Sequence, residues 1–362
     1  MRQSTSFSPD YVSARRRFRE AAARLGWTLE AHPIDATGPA GEELTVDVAA
    51  SADGEDLRTL VVSSGVHGVE GFLGSAVQVA ILERWATHTP PPIRCVFLHG
   101  LNPYGFAWLR RFDENNVDPN RNFLLPGQRY AGAPEGYAHL DALLNPRRPP
   151  SRFDPFLLRA LWAVARQGMP ALKQAIATGQ YEFPQGLFFG GSGPSPMQRL
   201  LAANLERWLG GSRQVAHLDF HTGLGRKGDC KLLIDYSLNE HQRRCLTEWF
   251  GAGTFEDCAA NGISYAARGG LGGWCVHHAG VPDYLFACAE FGTYGPLRIV
   301  AGLRAENQGH QWGPPGSRLP AAPEKQRLKE LFGPSSPAWR SVVVERGCDL
   351  IGRAVRGLAV TA

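Results

Sequence analysis

Lysine is scarce in this 362-residue chain: of its 38 basic residues all but Lys173, Lys227, Lys231, Lys325 and Lys329 are arginine. The arginines are scattered and interleaved with acids, which reads as a coding bias and not as a polycation. A strong charge of one sign is lacking too. The formal net charge of +4 is small for this length, so composition gives no case for nucleic acid or an anionic membrane surface as a partner. Long apolar runs are missing: no segment approaches the roughly 18 uninterrupted apolar residues of a membrane span. The opening stretch "MRQSTSFSPDYVSARRRFREAAARLGW" has no apolar core of the kind a secretory signal requires. The seven cysteines are widely spread, odd in number and form no Cys-x-x-Cys pair, which argues against a disulfide framework or a thiolate zinc site. Together these absences lead us to expect a cytoplasmic protein with buried, reduced thiols.

What is present is enough apolar material for a substantial core. At 43% hydrophobic the chain can build one large α/β domain or two smaller ones. "TVDVAA" (45–50), "TLVVSS" (59–64) and "IRCVFLHG" (93–100) read as strands, as do "QVAHLDF" (214–220), "KLLIDY" (231–236) and "DYLFACAEF" (283–291). Between 59–64 and 93–100, "GFLGSAVQVAILERWA" (71–86) has helical apolar spacing and reads as a crossover helix. Further helices are expected near 10–25, 154–167, 196–209, 240–250 and 338–357. This alternation predicts an α/β fold with a mixed, largely parallel β-sheet flanked by helices on both faces. Residues 124–196 break the pattern with three Pro/Gly clusters around one modest helix. We read them as an insertion within a single domain spanning 1–362, placed over one sheet edge near the substrate entrance. "HQWGPPGSRLPAAPEK" (310–325) reads as a long connection before a final helix pair.

Four pieces of sequence carry chemistry. "TLVVSSGVHGVEGF" sets His67 and Glu70 at the C-terminal end of an expected strand, where open α/β sheets place their ligand sites. Alone, this pair is equally what a turn histidine beside a solvated glutamate looks like. In "VAHLDFHTGLG" (215–225) strand alternation puts His217, Asp219 and His221 on one face, with His221 at the strand end. Two imidazoles and a carboxylate from neighbouring strand ends make a three-ligand, open-position zinc site. Asp219 is a candidate acceptor for the second ring nitrogen of such a ligand, and His217 reads as a buried strand histidine. "WLRRFDENNVDPNRNF" (108–123) brings Arg111, Asn120 and Arg121 into one polar loop. A guanidinium fork suits a carboxylate, and one beside a metal suits an oxyanion, although the loop could equally be laced with ordinary ion pairs. Finally, Glu290 lies in an apolar strand, where an ionised carboxylate needs a cation or a metal nearby, and where it is suited to general-base work.

The order of these pieces resembles the zinc carboxypeptidase (M14-type) superfamily over roughly residues 45–300. It is most similar to the bacterial, uncharacterised, DUF2817-like branch carrying "HGVEG", "NxxDxNRNF" and "DFHTGLG". The resemblance implies one zinc ion per chain held by His67, Glu70 and His221, with Glu290 as catalytic glutamate and Arg111 polarising the scissile carbonyl. It implies that Asn120 and Arg121 grip a terminal carboxylate. "YAARGGLGGW" (265–274) is similar to the carboxypeptidase loop whose tyrosine, here Tyr265, closes over that carboxylate. The position that helps set side-chain preference falls on Gly272, which has neither charge nor bulk. Specificity is then expected from elsewhere, from Arg268 or the 124–196 insertion. The implied partner is a small peptide or N-acyl amino acid with a free carboxylate. Two rivals stay open: an N-acyl amino acid amidohydrolase of the aspartoacylase or succinylglutamate desuccinylase kind, and a non-catalytic binding protein on the same fold.

Overall fold

The computed structural model describes residues 6–52, 57–151, 153–168, 178–257 and 268–360. Its centre is one eight-stranded sheet in the order β1-β2-β4-β3-β5-β8-β6-β7. The strands are β1 (Thr28–Thr37), β2 (Glu43–Ala50), β3 (Arg58–Ser64), β4 (Arg94–His99), β5 (Gln214–Gly223), β6 (Cys230–Ile234), β7 (Phe255–Asp257) and β8 (Asp283–Gly292). β4, β3, β5 and β8 run parallel at the centre, while β1 against β2, β2 against β4 and β6 against β8 are antiparallel. The sheet is therefore mixed, with a parallel core, as the alternation predicts. Two strands were not foreseen: β1, whose exposure is mixed throughout and which contains Pro33, and the three-residue β7.

Alternation along the central strands sorts side chains onto two faces. Leu60 and Val62, Ala216, Leu218 and Phe220, and Leu285, Ala287, Ala289 and Phe291 pack into one core cluster. The helices Tyr11–Arg24, Gly71–Thr87, Glu240–Phe250 and Pro337–Val360 contribute to that cluster. Val61, Val215, Tyr284 and Phe286 point the other way, against the helices Pro196–Leu209 and Leu271–His278. The helix Gly71–Thr87 is tied down by Gln78, which donates to Val62 O and Leu98 O (both 3.0 Å) and so bridges β3 and β4. Besides Pro103–Ala107 and Leu271–His278, two further helices, Tyr137–Leu144 and Pro296–Trp312, were not foreseen. The second replaces the front of the connection expected at 310–325. Its buried face carries Arg304, Glu306, Asn307 and Gln308, so it shows no apolar stripe. Among the described residues no helix is long and apolar enough to cross a membrane.

Candidate metal centre

The turn after β3 is shaped by glycines. Gly65 sits at φ 74°, in the left-handed region. At Gly68 a Cβ would lie 2.0 Å from Gly105 C, so only glycine lets the turn approach the short helix Pro103–Ala107. His67 then leads a 3₁₀ turn, Gly68–Glu70, and Glu70 stands at the head of helix Gly71–Thr87. His221 lies near the C-terminal end of β5, in register with Glu290 on β8.

These elements bring three donor groups together. His67 Nδ1 is 2.9 Å from Glu70 Oε1, His221 Nδ1 is 3.1 Å from Glu70 Oε2, and the two Nδ1 atoms are 3.2 Å apart. All three residues are buried. The outer nitrogens are spoken for: His67 Nε2 meets Asp118 Oδ1 at 3.1 Å, and His221 Nε2 meets Asp219 Oδ2 at 2.5 Å. Burial alone would raise the pKa of Asp118, but Arg111, His67 and Arg121 together outweigh it and hold the carboxyl well below its usual range. In Asp219 burial is likewise overcome, by His221 and by the Ser63 hydroxyl. An ionised carboxylate only accepts, so each Nε2 carries a hydrogen, and an imidazole in its neutral form then presents a lone pair at Nδ1. Two such lone pairs and a carboxylate facing one another at this range need a positive charge among them. Against burial, the Asp219 and Glu70 carboxylates raise the His221 pKa well above its usual value, so a proton on Nδ1 meets that need until a cation replaces it. The donor set therefore fits a cation, with both imidazoles oriented by carboxylates as metal-binding histidines usually are. His221, Cys288 and Glu290 form a second trio of donor atoms within 4.8 Å of one another. Burial and then the Glu290 charge push the Cys288 thiol well up, which keeps it protonated and favours the first set.

Behind Asp219 runs a chain with one direction. Tyr284 OH lies 2.8 Å from His217 Nδ1, His217 Nε2 lies 2.7 Å from Ser63 Oγ, and Ser63 Oγ donates to Asp219 Oδ1 at 2.6 Å. Because Ser63 spends its hydrogen on Asp219, it accepts from His217 Nε2–H, and His217 Nδ1 accepts from the tyrosine. Burial pushes His217 down to about 4, so it stays neutral in this role. Sequence reasoning found Asp219 but missed Ser63, Tyr284 and Asp118. All three lie inside stretches singled out above, but Ser63 and Tyr284 read there as ordinary strand residues and meet through cross-strand register.

The remaining foreseen residues divide. Arg111 is at the centre, donating to Glu70 Oε1 (3.1 Å) and Asp118 Oδ2 (2.9 Å). Glu290 is there too: Leu224 N donates to its Oε1 at 2.7 Å, and burial, then the Glu70 charge, push its pKa up to about 7. Asn120 and Arg121 line the same cavity, of about 210 Å³. Asn120 Oδ1 accepts from Leu271 N (2.9 Å), and Arg121 Nη1 donates to Asn120 O (2.5 Å). Tyr265 lies outside the described residues. Arg268 sits with its guanidinium 4.7 Å from the Tyr181 ring centroid. The loop carrying Arg110 and Arg111 is bracketed by left-handed backbone at Leu109 (φ 53°) and Asn116 (φ 61°). A buried network holds it there: Arg110 donates to Glu306 Oε1 (2.9 Å), Asn116 Oδ1 (2.8 Å) and Asn307 Oδ1 (3.0 Å), and Lys325 Nζ donates to Glu306 Oε1 at 2.5 Å. Arg110 O in turn accepts from Val69 N (2.7 Å), inside the ligand turn.

Comparison with solved structures places this architecture. The carboxypeptidase A from Helicoverpa armigera matches with a TM-score of 0.54 at 12% identity, over 98% of this chain and 74% of that one. A putative carboxypeptidase A from Shewanella denitrificans OS-217 gives 0.49 at 12% identity, covering 97% and 70% of the two chains. A putative metallopeptidase from Shewanella amazonensis SB2B gives 0.42 at 16% identity, covering 84% and 94%. The first of these shows that the chain shares the fold of a carboxypeptidase A. The chain itself belongs to the family described as "Protein of unknown function (DUF2817)", whose model matches residues 7–346. No curated protein matches it in sequence.

Proposed function

We propose that this protein is a zinc-dependent hydrolase that cleaves an amide bond next to a free carboxylate, a carboxypeptidase-type metallopeptidase. It would work as a single catalytic domain in which residues 124–196 are an insertion. The observation that carries this reading is the convergence of His67 Nδ1, Glu70 and His221 Nδ1, each imidazole held by its own aspartate, beside the buried Glu290. Those three residues would hold one zinc ion, and when bound it supplies Lewis-acid polarisation of a carbonyl and of water. Glu290, its affinity for a proton raised towards neutrality, takes a proton from the attacking water and returns it to the leaving amine. Arg111, fixed by Glu70 and Asp118, faces the charge that develops on the carbonyl oxygen. Asn120 and Arg121, with Tyr265 from its loop, bind and orient the substrate carboxylate. The partner is a small peptide or N-acyl amino acid, and a cytoplasmic setting fits the reduced thiols.

The test is a substrate panel: peptides with free and amidated C-termini and N-acyl amino acids, each with chelator-treated and zinc-reloaded protein. Zinc should restore cleavage of free-acid substrates in the wild type. Glu290→Gln should bind zinc equally well and lose several decades of turnover. A chain that binds zinc yet cleaves nothing on the panel is a binding protein, and the hydrolase reading falls.

A further inference from the structure

The cavity has two chemically distinct ends, and β8 orders them. Phe286, Cys288 and Glu290 alternate onto one face of the strand and all line the cavity. Running back from Glu290 along this face leads to Asp235, whose carboxylate accepts from Gly272 N (3.2 Å) and Gly273 N (3.0 Å). Arg121 acts on Asp235 electrostatically, and Asn120 holds Leu271 N at the head of the same helix. The polar groups that suit a carboxylate therefore stand at this end. Running forward from Glu290 leads past Gly292 to the helix Pro296–Trp312, and here the lining changes character.

At that forward end the wall is made by Leu140, Leu144, Phe156, Phe188, Val300 and Leu303. Four of these six come from the 124–196 segment, two from helix Pro296–Trp312. They are packed as walls and not left as loose surface: Leu140 and Leu144 cluster with Val300, and Phe188 clusters with Leu303. Phe188 adopts φ 58°, a conformation that costs about 1 kcal/mol or more for a non-glycine residue. Its ring lies 5.6 Å from the Arg111 guanidinium carbon. Among the described residues, no charged side chain lines the cavity beyond Glu290 in this direction. The Arg304 guanidinium, 4.8 Å from the Phe156 ring centroid, is occupied by Leu143 O (2.6 Å), Gln308 Oε1 (3.0 Å) and Asp154 Oδ2 (2.9 Å).

Resting on the hydrolase reading above, we propose that this gallery binds an apolar group on the carbonyl side of the scissile amide. The preferred substrate is then an amphiphile, with an extended hydrophobic acyl portion joined by an amide to a carboxylate-bearing amine. A fatty-acyl chain and an apolar penultimate side chain of a peptide share this chemistry. The gallery takes whichever one places methylenes against Leu144, Val300 and Phe156.

The experiment uses the full zinc-loaded chain and two series: glycine or alanine N-acylated from acetyl to decanoyl, and free-acid dipeptides whose first residue runs from glycine to leucine to phenylalanine. kcat/KM should rise about three- to fourfold per added methylene until the gallery is full, so octanoyl should exceed acetyl by at least 100-fold. Val300→Phe, which fills the gallery, and Val300→Asp, which charges it, should each cut the octanoyl-to-acetyl ratio by at least tenfold. A rise in the acyl series without one in the dipeptides identifies a fatty-acyl substrate; the reverse identifies a peptide; both support the gallery. Binding of the same acyl series to Glu290→Gln, read by calorimetry, separates the two proposals. Affinity that rises with chain length while no amide is cut by the wild type overturns the hydrolase and keeps the gallery. Cleavage at rates independent of chain length, in both series and in both Val300 variants, overturns the gallery and keeps the hydrolase.

Discussion

Replacing Asp219 with asparagine tests whether the metal centre depends on the direction of its hydrogen bonds. Asp219 receives two hydrogens, from Ser63 Oγ at 2.6 Å and from His221 Nε2 at 2.5 Å. An amide of the same shape can accept on one side only. If its NH₂ faces His221, the imidazole must move its hydrogen to Nδ1, where it would point at Glu70 and His67 and displace the cation. If its NH₂ faces Ser63, the serine must send its hydrogen to His217 Nε2 instead, which demands the other His217 tautomer and reverses the chain as far as Tyr284 OH. Both routes weaken zinc affinity, by about 10- to 100-fold on the scale of such supporting carboxylates, or about 1.4–2.8 kcal/mol, since even a correctly turned neutral amide makes His221 less basic than a carboxylate does. Competition against a chromophoric chelator at fixed free zinc measures it directly. Ser63→Ala should cost less, because it leaves the hydrogen on His221 Nε2 and the lone pair on Nδ1. Wild-type affinity in Asp219→Asn, or equal losses in the two variants, would refute the directed chain.

Three more outcomes follow from the geometry. Arg121→Ala should abolish the preference for free-acid over amidated substrates, and Arg121→Lys should restore it only in part, since a point charge lacks the guanidinium fork; a preserved preference removes Arg121 from the carboxylate site. Asp113 is buried and pushed up to about 8 by burial and then by Glu114, while its Oδ1 accepts from Asn115 N and Val117 N. Its folded form thus holds a proton that the unfolded chain releases above its own, lower pKa, so stability falls as pH rises towards 8. Asp113→Asn keeps the acceptor and loses the titration, and should gain on the wild type by about 2 kcal/mol between about pH 5 and pH 7; urea unfolding giving the same difference at both pH values rejects this. Glu306→Gln strips the buried Arg110 and Lys325 of their shared anion and should destabilise by about 3 kcal/mol, with Lys325→Met recovering part of it in the double variant.

The parallel core was legible because its strands are short apolar runs punctuated by glycine and polar turns. β1 was not: "TLEAHPIDAT" lies at the sheet edge, half exposed on both faces, and gives no clean alternation. The helix Pro296–Trp312 was hidden for the opposite reason. Its buried face holds Arg304, Glu306 and Asn307, which pair with Asp154, Arg110 and Gln185 from elsewhere in the chain, and no window of local sequence reveals such partners. Among the site residues, His67, Glu70, His221 and Glu290 could be picked out because short motifs and strand alternation carry them. Asp118 was quoted within a motif and given no role, since its role depends on His67 lying 3.1 Å away across 51 positions of chain. Ser63 looks like any strand serine until β3 and β5 are set in register, Ser63 opposite Asp219.

The Arg110 network also sets an order of events in time. His67 and Glu70 leave the ribosome early, but the backbone that steadies their turn belongs to Arg110, and Arg110 is gripped by Glu306, which is gripped by Lys325. A nascent chain therefore carries two of the three side chains proposed to hold the metal through the 151 residues from Glu70 to His221, and longer still before the brace behind them is complete. Until then the early histidine and glutamate have no fixed geometry with which to capture an ion. On the proposed zinc site, metal loading would then follow docking of the last helices, and zinc occupancy would report completion of the fold.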